Sequence, residues 1–447
     1  MRVVVIGADA TGASAASGIK RALRDQVEVI VLDRQAWTSY SACGIPFWIG
    51  GEVPGPEGLV ARTPEQHRAN GLDLRTGWEV TAIDPSARTV SATVLDSGAQ
   101  EVLHYDHLVI ATGATPLRPP IPGMDLPGVY GVQTLDDGLR VLDALADKPQ
   151  TAVVVGAGYI GIEMAEAMSR QGLDVTIVDR APEPMTSLDE DMGEWVSKGI
   201  REAGLAFHGG ESVMRIDGDG RAQAVVTAAG TYPADIVILG LGVRPNTAFA
   251  QAAGLPVGDS GGLLTDDHQR VRGFDTIWAG GDCVEVLERV SGTTLNIPLG
   301  THANKHGRVI AANIAGEDLT FPGVIGTAIS GICGLEVSRT GLTEAKAREL
   351  GLDPVSATIN ASTKVGYFPG VAGMRIKAVA QRGTGRVLGC QIVGGTGSGK
   401  RIDAIAVAIW NEMTVEDVTS LDLAYAPPFS PVWDPVQQVC RVLTKKV

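Results

Sequence analysis

Continuous apolar runs, rather than alternating ones, mark the two most regular stretches of the chain. Val3-Val4-Val5-Ile6 is β-branched and apolar throughout, Gly7 to Gly12 reads as a turn, and an alanine-rich segment carries helical character to Arg24. A second apolar run, Val27 to Leu32, then ends at Asp33. This is the order of a β-α-β unit, and strands without polar alternation belong to a parallel sheet covered on both faces. The order returns as Ala152 to Val155, Gly156 to Gly161, a helix through Gln171 and a strand Val175 to Val178 ending at Asp179. The repetition predicts two copies of one architecture. Proline-rich Pro116 to Pro122 separates them, and Gly242-Val243-Arg244-Pro245-Asn246 reads as the return of the chain out of the second.

From Phe321 onward the pattern changes. Short β-rich stretches, Arg375 to Ala380 and Arg386 to Val393, precede a helix-like Ala404 to Trp410, which predicts a third domain of α+β type. Ala426-Pro427-Pro428-Phe429-Ser430-Pro431 cannot be helical, because its prolines lack the amide donor and restrict their neighbours. The expected division is therefore 1–117 with 247–320, then 118–246, then 321–447.

Composition narrows the class. The chain has 447 residues, 44% hydrophobic and 20% charged, as expected of a multidomain globular enzyme. A formal net charge of -14 argues against a nucleic-acid partner or an anionic membrane surface, so an anionic ligand must be met locally. The N-terminal apolar run is too short for the core of a signal peptide, and no stretch approaches the length of a membrane helix. Cys43, Cys283, Cys333, Cys390 and Cys440 are odd in number and widely spaced, with no C-x-x-C pair. Neither a disulfide framework nor a zinc site is indicated, and a reducing cytoplasm is the expected home.

The second turn, Gly156-Ala157-Gly158-Tyr159-Ile160-Gly161, carries all three glycines of a dinucleotide loop between a strand and a helix. Its glycines allow the tight turn and the close approach of a pyrophosphate, whose charge the helix N-terminus stabilises. Asp179 stands where a carboxylate accepts hydrogen bonds from a ribose 2′-hydroxyl and repels a 2′-phosphate, which favours NADH over NADPH, although adjacent Arg180 acts in the opposite sense. The first turn, Gly7-Ala8-Asp9-Ala10-Thr11-Gly12, lacks the middle glycine and by pattern alone fits a plain strand-turn-helix. Its company argues for a nucleotide: Asp33 at a ribose position, Ala111-Thr112-Gly113 after an apolar strand, and Ala279-Gly280-Gly281-Asp282 after another.

On these residues the chain resembles the FAD-containing pyridine nucleotide-disulfide oxidoreductases. Within them it is similar to the single-cysteine branch of coenzyme A-disulfide reductases, NADH oxidases, NADH peroxidases and persulfide reductases. Matching landmarks run from Gly7 through Tyr159 to Glu163, Gly280-Gly281-Asp282 and Pro298-Leu299, to Tyr425-Ala426-Pro427-Pro428. The resemblance implies an α/β fold with two Rossmann-like dinucleotide-binding domains, one for FAD and one for NAD(P)H, plus a C-terminal α+β domain through which a homodimer forms. It places FAD against the first loop (Gly7, Ala10, Gly12), Asp33, Ala111, Thr112, Gly113, Gly281 and Asp282. The nicotinamide cofactor falls on Gly156, Gly158, Tyr159, Ile160, Gly161 and Asp179, with Glu163 near the nicotinamide, and Arg34, Val80, Gly242, Leu299 and Thr301 are further cofactor contacts.

A lone cysteine is by itself more often a small buried hydrophobe than a nucleophile. Cys43, however, follows Ser39-Tyr40-Ser41-Ala42 and precedes Gly44-Ile45-Pro46, and the resemblance puts it over the flavin near a helix N-terminus, where thiolate is favoured. Dithiol relatives carry a second cysteine five residues on; here that position is Trp48. The partner of Cys43 is therefore a small thiol or its own oxidised oxygen. The oxidases and peroxidases carry a histidine in the first loop, and the matching residue is Ala10. Coenzyme A-disulfide reductases use two tyrosines from the partner subunit, matched by Tyr367 and Tyr425. Lys20, Arg21 and Ser39 match coenzyme A contacts, while Ala42 and Trp433 replace the usual asparagine and basic residue. A small-molecule disulfide or persulfide is the expected substrate. The alternatives are oxygen or peroxide at a Cys43 sulfenate, and electron delivery to a protein or redox sensing, as in the related ferredoxin reductases.

Three further patterns point away from function. Gly394 to Lys400 nearly spells a phosphate loop, but Arg401 stands where Ser or Thr must meet magnesium. His302 and His306 have metal-like spacing without another nearby ligand and read as structural. Tyr105, with His104 and His107, is expected at the surface.

Overall fold

The computed structural model describes residues 1–447. The first unit is a parallel sheet in the order Ile277–Ala279, His107–Ile110, Arg2–Ile6, Glu28–Asp33, Asp73–Thr76. Alternate residues of its central strands enter two separate cores, Val4, Ile6, Ile30 and Leu32 on one face and Val3, Val5, Val29 and Val31 on the other. That double burial explains the unbroken apolar runs. Helix α1 (Ala10–Leu23) covers the second face. After it the chain reaches a short helix α2 (Ile45–Ile49), which packs into the next unit.

The second unit repeats the plan in the parallel order Ala206–Gly209, Asp174–Asp179, Thr151–Val155, Ile236–Leu239, Val129–Gly131, with α3 (Tyr159–Arg170) against it. Two chain crossings join the units side by side: Ala114–Pro116 pairs antiparallel with Val243–Pro245. On returning to the first unit the chain forms α4 (Gly300–Ile314) beside α1. Their close crossing needs small residues, since a Cβ on Gly18 would stand 2.6 Å from Ala311 Cβ and one on Gly307 2.5 Å from Thr11 O.

The third domain is an antiparallel sheet, ordered Ala328–Ile332, Leu335–Gly341, Val387–Gly394, Gly373–Gln381, Pro354–Ser362, backed by α5 (Ile402–Trp410) and the helix Pro435–Leu443. It is joined to the second unit by a buried ionic cluster. Lys377 Nζ lies 3.2 Å from Asp189, 2.8 Å from Asp191 and 3.1 Å from Glu344. The loop resembling a phosphate cradle is already filled, because the amides of Gly397 and Gly399 donate to the two oxygens of Glu336 at 2.9 and 2.7 Å. His302 and His306 are buried, and His306 Nδ1 accepts the Gly281 amide at 3.0 Å. Tyr105 corrects its sequence reading: only 3% exposed, it packs in the same core as Leu103 and Leu108; His107 is half-buried and accepts the Trp278 indole N–H at 3.3 Å, while His104 stays at the surface. No helix is long and apolar enough to cross a membrane.

Candidate active site

The two glycine loops are stereochemical twins. Gly7 has φ 101° and Gly156 φ 102°. A Cβ at Gly7 would stand 2.2 Å from Ala111 O, and one at Gly156 2.4 Å from Gly240 O. Gly12 and Gly161 each bring the helix start so close that a Cβ would lie 1.9 Å from the carbonyl of Gly7 or Gly156. The middle positions differ. At Gly158 a Cβ would meet nothing nearer than 3.9 Å, so that place accepts a side chain, and in the first loop Asp9 fills it. Its Oδ1 accepts the Tyr40 amide at 3.1 Å. What reads in sequence as a missing glycine is therefore a tether between the first loop and the segment that leads to Cys43.

That segment is framed tightly. Ser39, at φ 47°, donates its amide to Ala8 O at 3.1 Å and accepts the Ala61 amide at 2.8 Å, and its hydroxyl meets His67 Nε2 at 2.8 Å. Cys43 follows in a single 3-10 turn, Ala42–Gly44, leading directly into α2. A Cβ at Gly44 would stand 2.3 Å from Leu59 Cδ2, so any larger residue there would displace the Leu59 side chain. Trp48 is buried, 2.5 Å from where a Cβ of Gly138 would be, so the place of a second thiol belongs to the core. All five cysteines are free; Cys43 is exposed, Cys333 half-buried, and the other three buried.

One cavity of 1950 Å³ gathers these pieces. Asp9, Ala10 and Thr11 of the first loop line it, as do Cys43 with Ser39 and Ala42, Gly158, Tyr159, Ile160 and Glu163 of the second unit, and Gly281, Asp282, Leu299 and Thr301. Ala111, Gly113, Gly242 and Arg21 also reach it. Such a volume exceeds the usual small-ligand pocket and has room for more than one extended ligand.

Several predicted residues stand apart from that cavity. Gly7, Gly12, Gly156 and Gly161 shape the loops from behind, Thr112 Oγ1 donates to Asn246 O at 2.7 Å, and Asp33 and Asp179 end the strands beneath the loops. Asp33 accepts the amides of Ala8 at 2.7 Å and Gln35 at 2.8 Å. Arg34 is exposed, and Val80 lies half-buried in the strand Trp78–Asp84. Lys20 is turned away to finish α1, its Nζ donating to Arg24 O at 3.0 Å and Val27 O at 3.2 Å. Tyr367 and Tyr425 project from the third domain, 78% and 47% exposed, outside the cavity of their own subunit.

The electrostatics are set mainly by buried carboxylates. Burial pushes Asp282 up to about 6, and its side chain faces the cavity with no hydrogen-bond partner in the protein. Asp9 is also pushed up to about 6, by burial first and by Asp33 and Asp282 further, against the opposing amides of Tyr40 and Ala10. Cys43 departs from the expected stabilised thiolate. Although the residue is exposed, desolvation by the protein around its sulfur, then the charges of Glu163 and Asp282, raise its thiol above the ordinary value, and its own backbone amide offsets only part of this. Helix α2 is too short to supply a compensating dipole.

The donor set fits FAD: glycine cradles too tight for any Cβ, an unpartnered acceptor in Asp282 for a hydroxyl-bearing chain, and the start of α4 at Gly300 and Thr301 with no side-chain cap. Sequence reasoning missed Asp9, His67 and Ser330. An aspartate within a weak motif was a faint sign of the first, but the other two act through partners distant in sequence and leave no local pattern.

Two dinucleotide loops and an exposed cysteine on one cavity define a nucleotide-dependent oxidoreductase. Residues 1–307 match the family model of pyridine nucleotide-disulphide oxidoreductases, and residues 327–435 match the dimerisation domain of the same proteins. The chain belongs to this family, whose members depend on FAD and use NAD(P)H. It is 37% identical over 446 residues to an NAD(P)H coenzyme A polysulfide/persulfide reductase of Pyrococcus horikoshii, covering 99% of this chain and 98% of that one. To an NADH oxidase of Methanocaldococcus jannaschii it is 36% identical over 451 residues, covering 100% and 99%. Among solved structures, an NAD-dependent persulfide reductase from A. fulgidus superposes with a TM-score of 0.96 at 36% identity, covering all of this chain and 83% of that one.

Proposed function

We propose that the protein reduces a small disulfide or persulfide of the coenzyme A kind with electrons from NAD(P)H, through Cys43. The observation that carries this reading is that Cys43 opens onto the cavity shared by both dinucleotide loops, while Trp48 occupies the place of a second thiol. With no second protein sulfur at hand, the sulfur that pairs with Cys43 comes from the substrate. Arg21, Arg62, Lys305 and Arg308 line the same cavity of an otherwise acidic chain, which supports a phosphate-bearing thiol. The similarity to the Pyrococcus reductase supports it further.

FAD, when bound, supplies the two-electron carrier between nicotinamide and sulfur. In this reading residues 1–117 with 247–320 hold FAD through the first loop, Asp33, Asp282 and the start of α4. Residues 118–246 hold the nicotinamide nucleotide, and 321–447 form the interface of a homodimer. The Cys43 thiolate attacks R–S–S–R, forming Cys43–S–S–R and releasing R–S⁻, which takes a proton. Two electrons and a proton originating in NAD(P)H, with one proton from solvent, then return the Cys43 thiol and a second R–SH. Tyr367 and Tyr425, exposed and outside their own cavity, are suited to reach the cavity of a second subunit, where they donate or position the protons. Exposed Phe429, Val432 and Trp433 beside Tyr425 supply apolar surface for that association.

The test is anaerobic turnover of NADH with coenzyme A disulfide and with a persulfide, for the native protein and Cys43→Ser. Cys43→Ser should keep its FAD and lose turnover with both; undiminished disulfide reduction would sink the thiol route. A second reading, oxygen or peroxide as acceptor, is favoured by the similarity to the Methanocaldococcus oxidase. Ala10, with no acid-base group, weighs against it. Faster turnover with oxygen or peroxide than with any disulfide would establish it.

A further inference from the structure

Two acidic residues one turn apart on α3 are both held from the third domain. Ser330 Oγ donates to Glu163 Oε1 at 2.5 Å, and the Cys333 amide donates to Glu166 Oε2 at 2.8 Å. Ser330 lies on the strand Ala328–Ile332, whose register with Leu335–Gly341 pairs it with Val337. Ile332 and Val337 enter the same core as Met164 and Met168 of α3, so this hairpin is packed into the second unit. The hydroxyl of Ser330 is thus presented by a rigid element, on a residue only 7% exposed.

Glu163 has no other hydrogen bond within the protein, and both it and Ser330 line the cavity. One carboxylate oxygen is therefore fixed and the other is left for a ligand. We propose that Ser330 is a positioning residue for the nicotinamide, holding one oxygen of Glu163 so that the other accepts a hydrogen bond from the carboxamide N–H of NAD(P)H. This rests on the dinucleotide reading of the cavity and is independent of what Cys43 reduces. Burial raises the Glu163 carboxyl and the hydrogen bond from Ser330 opposes that rise, so the same contact favours the ionised acceptor. The flexible three-bond side chain of a glutamate costs rotamer entropy to order, and a preformed hydrogen bond removes part of that cost from ligand binding.

The experiment uses the FAD-loaded protein and the unreactive oxidised dinucleotide, NAD⁺, with binding measured by calorimetry. Ser330→Ala should weaken NAD⁺ binding about tenfold, the size of one hydrogen bond to a charged group. Ser330→Thr, which keeps the hydroxyl, should remain within about twofold of the native protein on the same scale. Glu163→Gln should lose a similar amount, and Ser330→Ala added to it should lose nothing more, because the two act as one unit. In anaerobic reduction by NADH, Ser330→Ala should raise the half-saturating concentration and leave the limiting rate little changed. Native affinity in Ser330→Ala, no rescue by Thr, losses that multiply with Glu163→Gln, or an inert Glu163→Gln would each overturn the proposal. The disulfide reading stands or falls separately, on Cys43→Ser, since neither measurement here involves an acceptor.

Discussion

Asp179 accepts the amide of Ala157 at 2.5 Å on one carboxylate oxygen and that of Ala181 at 2.8 Å on the other. Asp33 does the same for Ala8 and Gln35 in the first unit. In each unit one carboxylate thus pins the glycine loop to the end of the neighbouring strand. Each oxygen keeps a further lone-pair direction, so the pinning leaves room for a ribose hydroxyl.

For Asp179 the consequence is nucleotide preference. A carboxylate at that place accepts a hydrogen bond from a 2′-hydroxyl and repels a 2′-phosphate. Asp179→Ala should lower kcat/KM for NADH and shrink the NADH-to-NADPH ratio by about tenfold, roughly the worth of a lost charged hydrogen bond. An unchanged ratio in steady-state kinetics would place the ribose elsewhere.

The backbone of this protein is legible in its sequence, and most of its side-chain partnerships are not. Apolar runs ending at Asp33 and Asp179 announced two parallel sheets because strands buried on both faces leave no polar positions. Prolines and glycines marked the crossings at Pro116 and Gly242 for equally local reasons. By contrast, Lys20 looked available for phosphate until its place at the end of α1 gave it two carbonyl partners. Gly397 and Gly399 looked like an anion cradle, and Glu336, more than sixty residues away, is the anion. Ser330 and Glu163 are 167 residues apart. No window of local sequence contains such pairs.

Asp9 makes FAD binding sensitive to pH. Its carboxyl is pushed up to about 6, so it is neutral below that pH and charged above it, beside the loop proposed to meet a pyrophosphate. FAD affinity of the apoprotein should therefore fall as pH rises through 6 and beyond. Asp9→Asn, which keeps an acceptor for the Tyr40 amide, should flatten that dependence and bind more tightly at neutral pH. Reconstitution followed by flavin fluorescence tests both; an identical slope in Asp9→Asn would clear Asp9 of the effect.

Lys377 is the cation that Asp189 and Asp191 share, while Glu344 is divided between Lys377 and Arg348. Lys377→Met leaves the buried Asp189 carboxylate without a cation and should cost about 3 kcal/mol, seen as a lower melting temperature. The pH profile has two sides. Burial works to raise Asp189, but the Glu344 amide, Gln391 and Lys377 hold it below its ordinary value, so its contribution is present at neutral pH and lost as pH falls through that lowered value. Burial works to lower Lys377, but Asp191 and Asp189 hold it above, so its contribution is lost only as pH rises past that raised value. Lys377→Met should lose the alkaline limb and weaken the acid one, which the Glu344 amide and Gln391 still support, and a native-like melting profile would show that the cluster contributes little.

The raised thiol of Cys43 sets how the proposed cycle runs. Burial, Glu163 and Asp282 all disfavour the thiolate, so at neutral pH the reduced protein holds mostly thiol and its attack on a disulfide should quicken as pH rises. Alkylation of reduced Cys43 by iodoacetamide should follow the same curve, with an inflection above about 8.5, the value of a free cysteine. Glu163→Gln removes the largest opposing charge and should move the inflection down, so that alkylation at pH 7 becomes faster. Mass spectrometry of the alkylated peptide reads the rate directly. An inflection below that of a free cysteine, or one unmoved by Glu163→Gln, would mean that the carboxylate does not face the sulfur, and the shared cavity would no longer place the nicotinamide contact and the thiol on one reaction path.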